Sequence, residues 1–165
     1  MTHPDSELVV AGRLALDLAW NGRKLSRLTL SWSDGLTPDP DPSPGARALA
    51  TALDRYVTGQ APLWPSLPLD AARLSPFARD VLFALRDGVP HGATVSYGNL
   101  ARMAGHPGAA RAVGRVMNGN PWPLLIPCHR VIGSGGDLVG FGACGLPMKD
   151  YLLRLEGALP RGKGR

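Results

Sequence analysis

The segment Ser96–Asn120, SYGNLARMAGHPGAARAVGRVMNGN, decides how the second half of the chain folds. Its serine is a favourable N-cap for a short helix over Tyr97–Ala104, and the glycine that follows suits the end of that helix. After the turn His106-Pro107-Gly108, a second helix is predicted from about Ala109 to Asn118. Two short helices joined by a glycine-containing turn are typical of a helix-turn-helix. A plain helical hairpin gives the same pattern and stays open as the alternative.

The second helix of this motif presents two different faces. Val113, Val116 and Met117 recur at helical spacing and predict its buried face. Arg111 and Arg115 lie one turn apart on another face, which Asn118 continues. The residues around the two arginines are small: Ala109, Ala110, Ala112 and Gly114. Such a helix can approach a groove wall closely, although a solvated basic face is the alternative.

The stretch IPCHRVI, at Ile126–Ile132, places a thiol beside an imidazole. A cysteine thiol has a pKa of ~8.5, so a nucleophilic cysteine needs a base or a positive field. His129 can supply that base, directly or through one water, provided that the chain turns between Cys128 and His129. Pro127 and the glycines of GSGG, at Gly133–Gly136, favour such a turn. A buried structural thiol and a core histidine are the alternatives.

A third polar group comes from the last predicted helix. Pro147 suits its first turn and Gly157 the position after its end, with Met148, Leu152 and Leu155 as the predicted buried stripe. Glu156 falls in the last turn, where the helix dipole disfavours a carboxylate by ~0.3 kcal/mol or more. This placement indicates another task for Glu156, such as orienting the histidine. An exposed, unpaired glutamate is the alternative.

The first third of the chain predicts a strand-helix domain. Apolar residues alternate over Leu14–Trp20 and again over Leu28–Trp32, and Asn21-Gly22 between them is a strong hairpin signal. The proline-rich segment Ser33–Pro44 predicts an exposed loop. Its last two residues open a helix that carries an apolar stripe: Leu49, Leu53 and Tyr56.

Two domains are therefore expected in an α+β chain. Gln60–Asp70, with three prolines, predicts the link between them. The expected domains are residues 1–70, a small antiparallel sheet with a helix, and residues 71–165, a helical domain that contains the helix-turn-helix in a winged-helix-like arrangement. The second domain starts with Ser75-Pro76, an N-cap followed by proline at the first helical position.

Composition bounds the class of protein. The chain has 165 residues, of which 44% are hydrophobic and 19% charged, as in globular domains. Residues 1–80 carry a net charge of −1 and residues 81–165 a net charge of +6, within the total of +5. A basic second half favours a polyanionic partner such as nucleic acid. Ordinary solubility charge is the alternative, because three of these charges lie in the tail Arg161–Arg165.

Several classes of protein are not expected. Two cysteines without metal-ligand spacing argue against a disulfide framework and a Cys-based zinc site. The first residues, Met1–Val10, lack the pattern of a signal peptide, and no apolar run approaches the ~18 residues of a membrane span. A cytosolic chain is the simplest interpretation.

The block Arg111–Arg130, RAVGRVMNGNPWPLLIPCHR, resembles the O6-alkylguanine-DNA alkyltransferases, also called methylated-DNA–protein-cysteine methyltransferases. The active-site signature of that family, Pro-Cys-His-Arg followed by two aliphatic residues, is matched by Pro127–Ile132. The resemblance covers residues 75–157 and includes SYGNLARMAG at Ser96–Gly105 and KDYLLRLEG at Lys149–Gly157. The first domain is similar to the family only in its layout.

The resemblance implies a single-turnover DNA repair enzyme. It would bind duplex DNA through the minor groove, flip an alkylated guanine into a pocket and accept the alkyl group irreversibly on Cys128. O4-alkylthymine is an expected further substrate. His129 would take the thiol proton through a water, and Glu156 would orient the imidazole. The resemblance implies no cofactor, no metal and no obligate protein partner, and a monomer in the cytoplasm that associates with the nucleoid.

The resemblance also assigns roles to other positions. Arg111 matches an arginine that fills the gap in the base stack, and Tyr97 a tyrosine that rotates the 3′ phosphate and donates a proton to the leaving guanine. Asn120 matches a catalytic-site asparagine in the turn before the active-site strand, and Arg130 a structural arginine. Further DNA contacts are implied at Ser96, Ala110, Ala112, Gly114 and Arg115. Pocket walls are implied at Met117, Pro123, Phe141, Gly142 and Ala143.

The loop that closes the implied pocket departs from the family pattern. Gly140-Phe141 stands where the family commonly has glycine followed by tyrosine, so a phenolic hydroxyl is missing. The next residues, Gly142–Leu146, make the loop one residue longer than usual and introduce Cys144. A small loop residue is the simplest interpretation of Cys144, with a second thiol near the pocket as the alternative.

Three rival functions follow from the same residues. An alkyltransferase-like protein, which flips and holds the lesion without repairing it, commonly replaces the acceptor cysteine by tryptophan, whereas this chain keeps Cys128. A helix-turn-helix transcription regulator would not need Pro127–Arg130. A Cys-His hydrolase would need an oxyanion hole, for which the sequence shows no evident residues.

Overall fold

The computed structural model describes residues 5–140 and 145–159. The chain divides into two compact units, Met1–Arg73 and Leu74–Arg165. A small antiparallel sheet and helices together form an α+β protein, which confirms the predicted fold class.

The first unit is built on a three-stranded antiparallel sheet in the order β1-β2-β3. The strands are β1 (Ser6–Ala11), β2 (Leu14–Asn21) and β3 (Lys24–Trp32). β1 was not predicted, because its polar start, Ser-Glu, masks an alternation that is too short to stand out. The predicted hairpin exists, but its turn is Gly22-Arg23 rather than Asn21-Gly22, since Asn21 pairs with Lys24 at the end of the ladder.

One buried carboxylate joins the sheet to the helix α1 (Pro44–Tyr56). Glu7 is 3% exposed and accepts hydrogen bonds from Trp20 Nε1 at 2.7 Å, Ser43 N at 2.5 Å and Ser43 Oγ at 2.7 Å. Ser43 is the predicted N-cap, and its hydroxyl also accepts from Ala46 N. Glu7 therefore fixes the start of the helix against the strands, and the apolar stripe of α1 completes the core of this unit.

Segment 60–70, expected to be a linker, is hydrogen-bonded to the first unit. Leu25 N donates to Pro68 O at 2.8 Å, and Asp70 N donates to Leu25 O at 3.0 Å. These bonds satisfy backbone groups at the outer edge of β3. The segment is thus part of the sheet unit.

The second unit carries the remaining elements: α2 (Pro76–Gly88), β4 (Val95–Ser96), α3 (Tyr97–Met103), α4 (Ala110–Asn118), β5 (Val131–Ile132) and α5 (Gly145–Leu155). The predicted caps are present, because the hydroxyls of Ser75 and Ser96 accept from Ala78 N and Asn99 N. The helix-turn-helix is formed by α3 and α4. β4 and β5 pair in parallel, so the strand before α3 lies beside the strand that follows Cys128. Among the described helices, none is both long and apolar enough to cross a membrane.

The buried face of α5 differs in part from the prediction. Met148 and Leu152 are buried as expected, but Leu155 is only partly buried. Lys149 and Leu153 are buried, and Glu156 continues this face one turn beyond Leu152. Apolar periodicity alone does not predict this face, because the face also holds the charged side chains of Lys149 and Glu156.

We predict that Glu7→Ala lowers the free energy of unfolding of the first unit by about 2–4 kcal/mol, because it leaves buried donors without an acceptor. Urea denaturation followed by tryptophan fluorescence measures this loss. The matched control is Asp17→Ala, which removes an exposed carboxylate from β2 and should change stability by no more than ~0.5 kcal/mol. Equal losses in both variants would contradict the role given to Glu7.

Candidate functional site

Cys128 and His129 lie on a single turn of 3-10 helix, Cys128–Arg130. Two backbone hydrogen bonds form this turn. Arg130 N donates to Pro127 O at 2.9 Å, and Cys128 N donates to Ile126 O at 2.8 Å. The chain is therefore not extended here, as the predicted chemistry requires. Both side chains are buried, with 7% of Cys128 and 1% of His129 exposed.

Glu156 holds both basic side chains of this turn. Its Oε1 lies 2.7 Å from His129 Nε2, and it accepts from Arg130 Nε at 2.9 Å and Arg130 Nη2 at 3.0 Å. Arg130 Nη1 donates to Val89 O at 2.7 Å, which ties the end of α2 to the same cluster. Glu156 is thus a buried acceptor rather than an exposed, unpaired glutamate.

Electrostatics in this cluster fix the state of each group. Burial alone would raise the pKa of Glu156, but the hydrogen bonds and charges of His129 and Arg130 outweigh it and lower that pKa, so the carboxylate is ionised. Burial lowers the pKa of His129, the Glu156 carboxylate opposes this, and the charges of Arg130 and Lys149 add to the lowering. The folded protein therefore holds a neutral imidazole beside a carboxylate near neutral pH.

The carboxylate also decides which ring nitrogen of His129 can accept a proton. An ionised carboxylate only accepts hydrogen bonds, so Nε2 carries the proton of the neutral imidazole. Nδ1 is buried and has no hydrogen-bond partner within residues 5–140 and 145–159. Its lone pair is therefore the basic site of the neutral imidazole.

The exposed face of α4 is as predicted. Arg111, Arg115 and Asn118 are exposed, while Val113 and Met117 are buried and Val116 is partly buried. The small residues of this helix, Ala110, Ala112 and Gly114, are partly buried. Gly114 faces Tyr97, since a Cβ built on it would lie 3.9 Å from the tyrosine ring. The helix thus has two exposed arginines on its outer face, and its side toward α3 carries small residues.

Tyr97 connects the start of α3 to the loop before α5. Its hydroxyl donates to Val139 O at 2.8 Å. Burial, and then the negative charge of an ionised Cys128, raise the pKa of Tyr97. The phenol therefore stays protonated at neutral pH. Ser96, just before it, caps α3.

Asn120 shapes the connection from α4 to the thiol. Its Oδ1 accepts from Trp122 N at 3.0 Å and its Nδ2 donates to Ile126 O at 2.8 Å. Trp122 is fully buried and anchors this connection in the core.

Two of the predicted pocket residues lie within the described residues: Met117 is 8% exposed and Pro123 is partly buried. Phe141, Gly142 and Ala143, together with Cys144, lie outside the described residues.

Sequence reasoning missed Lys149. This side chain is fully buried, and its Nζ donates to three carbonyl oxygens: Val131 O, Val139 O and Gly140 O. Burial lowers the pKa of Lys149 to about 8, against an opposing effect of the Cys128 charge. The only sequence signal was its place on the same helical face as Leu152 and Glu156.

Within the described residues, no cluster of three or more His, Cys, Asp or Glu side chains could hold a metal ion.

The helix-turn-helix is typical of DNA-binding domains, and here its second helix leads through a buried tryptophan into a Cys-His turn that glutamate holds. The family described as "6-O-methylguanine DNA methyltransferase, DNA binding domain" matches residues 76–158. The chain belongs to this family.

Characterised relatives are similar over the same region. The methylated-DNA–protein-cysteine methyltransferase of Shigella flexneri is 43% identical over 111 residues, which are 67% of this chain and 63% of that protein. The protein of the same name from Homo sapiens is 48% identical over 93 residues, 56% of this chain and 44% of that protein. The matched segments thus span between 44% and 63% of the length of these two relatives.

The fold is similar over a larger part of the chain. The Mycobacterium tuberculosis OGT, whose crystal structure is in complex with DNA, superimposes with a TM-score of 0.73 at 35% identity. The superposition covers 90% of this chain and 91% of that one. The similarity therefore includes both units of the chain.

We predict that Glu156→Gln lowers the pKa of His129 further, because it removes the carboxylate that opposes the effect of burial. NMR titration of the imidazole measures this shift. The matched control is Asp150→Asn, which alters an ion pair with Arg154 on the outer side of α5 and should leave the His129 titration unchanged. A His129 pKa that stays the same or rises in Glu156→Gln would contradict the assignment.

The lowered pKa of His129 in the wild-type protein makes the free energy of unfolding depend on pH. Because folding lowers the pKa of His129 from its ordinary value of 6.5, the unfolded chain binds a proton that the folded chain does not bind just below that pH. The stability associated with the neutral imidazole is therefore complete above pH 6.5 and falls as the pH drops below it.

Proposed function

We propose that this protein repairs DNA by transferring the alkyl group of O6-alkylguanine in duplex DNA to Cys128, irreversibly and once per molecule. The observation that carries the proposal is the turn in which Cys128 precedes a neutral, glutamate-held His129. O4-alkylthymine is a second proposed substrate, because it carries the same alkyl-oxygen bond. The names of the relatives, methylated-DNA–protein-cysteine methyltransferases, agree with this chemistry.

The reaction begins with proton transfer. His129 Nδ1 accepts the thiol proton of Cys128 through a bridging water, and the Glu156 carboxylate stabilises the imidazolium that forms. The thiolate then attacks the alkyl carbon, so that a carbon–sulfur bond forms as the bond between carbon and O6 breaks. The electron pair of that bond stays with the guanine, which takes a proton from the Tyr97 hydroxyl. The product is a thioether, which none of these steps cleaves.

Substrate access requires the base to leave the helix. Stacking shields the O6 substituent from side chains, so the lesion must be extruded before the thiol can reach it. In this proposal, α4 enters the minor groove, and Arg111 fills the gap in the stack while Arg115 and the backbone at the small residues contact the DNA. Tyr97 rotates the 3′ phosphate, and Met117, Pro123 and the loop after Gly140 form the pocket walls.

The partner and location follow from the same chemistry. A net charge of +6 over residues 81–165 favours binding to phosphates, because neutralising them releases counterions. A stoichiometric acceptor needs no cofactor to regenerate it. We propose that the protein acts as a monomer in the cytoplasm, on nucleoid DNA, without an obligate protein partner.

Incubation with duplex DNA that contains O6-methylguanine tests the function directly. We expect one methyl group per protein molecule, located on the Cys128 peptide by mass spectrometry, and no transfer in Cys128→Ala. Cys144→Ala is the matched control and should transfer as the wild type does. Repeated turnover would favour a hydrolase, and tight lesion binding without transfer would favour a non-repairing lesion binder.

A second prediction separates DNA capture from chemistry. Arg111→Ala should slow transfer from O6-methylguanine duplex by at least about tenfold at subsaturating DNA, ~1.4 kcal/mol. Reaction with free O6-benzylguanine should survive, because that substrate has no base stack to replace. The matched control is Arg79→Ala, an exposed arginine on α2, with an expected change within about twofold. Equal loss of both reactions in Arg111→Ala would contradict the role of Arg111.

A further inference from the structure

Leu124 has a backbone conformation that leucine rarely adopts. Its φ is 71°, in the left-handed region, where the Cβ of an L-residue comes too close to the following carbonyl oxygen. Glycine, which has no Cβ, takes all the other positive-φ positions within residues 5–140 and 145–159. A leucine keeps such a conformation only where the surrounding structure fixes it. Leu124 lies between α4 and the Cys128 turn, so this strained residue belongs to the candidate site.

Hydrogen bonds around Leu124 fix its conformation. Ile126 N donates to Trp122 O at 2.9 Å, which closes the chain reversal around Leu124. Ile126 O accepts from Asn120 Nδ2 at 2.8 Å and from Cys128 N at 2.8 Å. The positive φ of Leu124 turns the chain back, so that one residue, Ile126, is bonded both to the segment that follows α4 and to the thiol turn.

The same reversal places a proposed wall of the pocket. Pro123 directly precedes Leu124 and pairs with Ile126 in an isolated bridge. The position of this wall relative to the segment that leads to Cys128 therefore depends on the backbone of Leu124.

Packing explains only part of this arrangement. The Leu124 side chain is 2% exposed, which accounts for an apolar residue at this position. Burial of an apolar side chain does not require a positive φ, since the other buried leucines of the described residues have ordinary backbone conformations. Strained conformations of this kind cluster at active sites, where they hold reacting groups in place.

We propose that Leu124 is a positioning residue for alkyl transfer, whose left-handed backbone holds the Pro123 wall and the Cys128 turn in one fixed arrangement at the end of α4. This inference rests on the proposed function, because a pocket wall and an acceptor thiol matter together only in that reaction. The effect of Leu124 reaches the reaction through the backbone of the turn. Glycine at this position would relieve the strain, but it would also allow the turn to leave this arrangement.

Two substitutions that remove the same side chain separate backbone conformation from packing. Leu124→Ala keeps a Cβ and its conflict with the carbonyl oxygen, whereas Leu124→Gly removes both. Urea denaturation should therefore give Leu124→Gly the higher midpoint of the two, the reverse of the usual order of alanine and glycine.

The rates should rank in the opposite direction. The maximal rate of single-turnover transfer from O6-methylguanine duplex, counted per protein molecule that completes transfer, should be at least about fivefold lower in Leu124→Gly than in Leu124→Ala. The duplex concentration that gives half the maximal rate should agree within about twofold, because the arginine face of α4 is untouched. A purely structural role would not make the more stable variant the slower one.

Leu82 provides a matched pair on ordinary helical backbone. It is 1% exposed and lies in the middle of α2. Leu82→Gly should have a lower urea midpoint than Leu82→Ala, because glycine weakens a helix interior. The maximal rates of these two variants should agree within about twofold.

A second pair keeps the volume of the side chain, should the smaller residues prevent folding. Leu124→Ile and Leu124→Met both retain about the volume of leucine. A β-branched residue is disfavoured at positive φ more strongly than an unbranched one. Leu124→Ile should therefore have the lower urea midpoint and a maximal rate at least about threefold below that of Leu124→Met.

Two outcomes would overturn the inference while leaving the proposed function intact. One is a higher urea midpoint for Leu124→Ala than for Leu124→Gly, as in the Leu82 pair, which would mean that the backbone carries no strain. The other is a maximal rate in Leu124→Gly that equals or exceeds that of Leu124→Ala. Equal midpoints and equal rates for Leu124→Ile and Leu124→Met would have the same meaning. Absence of transfer by the wild-type protein is a separate result, which would refute the proposed function itself.

Discussion

The second unit depends on one buried ion cluster, in which the Glu156 carboxylate accepts hydrogen bonds from His129 and Arg130. An ionised carboxylate without partners would be too costly to bury, so the end of α5 and the Cys128 turn must meet at this point. Arg130 extends the constraint to Val89 at the end of α2. The interaction that orients the histidine is therefore also one that closes the fold, and the site cannot be loosened without loosening the unit around it.

The helix-turn-helix is joined to the Cys128 turn by short segments. The parallel pairing of β4 with β5 sets Ser96, and hence the start of α3, beside the residues that follow Cys128. On the other side, Asn120 and the buried Trp122 lead from the end of α4 into the same turn. Both helices of the helix-turn-helix are thus attached to the thiol by a few residues. In the proposed function, a lesion held by α4 would therefore lie at a fixed position relative to the sulfur, which favours reaction through proximity and orientation.

Buried charged side chains recur where distant segments meet. Glu7 joins β1 and β2 to the start of α1, Lys149 joins α5 to β5 and its loop, and Glu156 joins α5 to the Cys128 turn. Each is satisfied by several partners, which limits the cost of burial. Apolar packing tolerates small shifts between elements, whereas hydrogen bonds to a buried charge require particular atoms at particular distances. These residues therefore define how the segments are placed.

The sequence by itself determined the local structure and which reactive side chains are present. Serine caps, glycine ends and apolar periodicity predicted α1 to α4 closely, because these signals act within one turn of helix. The Pro-Cys-His-Arg signature identified the family and the adjacent thiol and imidazole. Tertiary structure alone decided the exact hairpin turn, the strand β1 and the buried face of α5. It also decided the use of Lys149, which looks like an ordinary surface lysine in the sequence. Its three acceptors are backbone carbonyls, which every residue possesses, so only the folded chain could show which of them surround the ammonium.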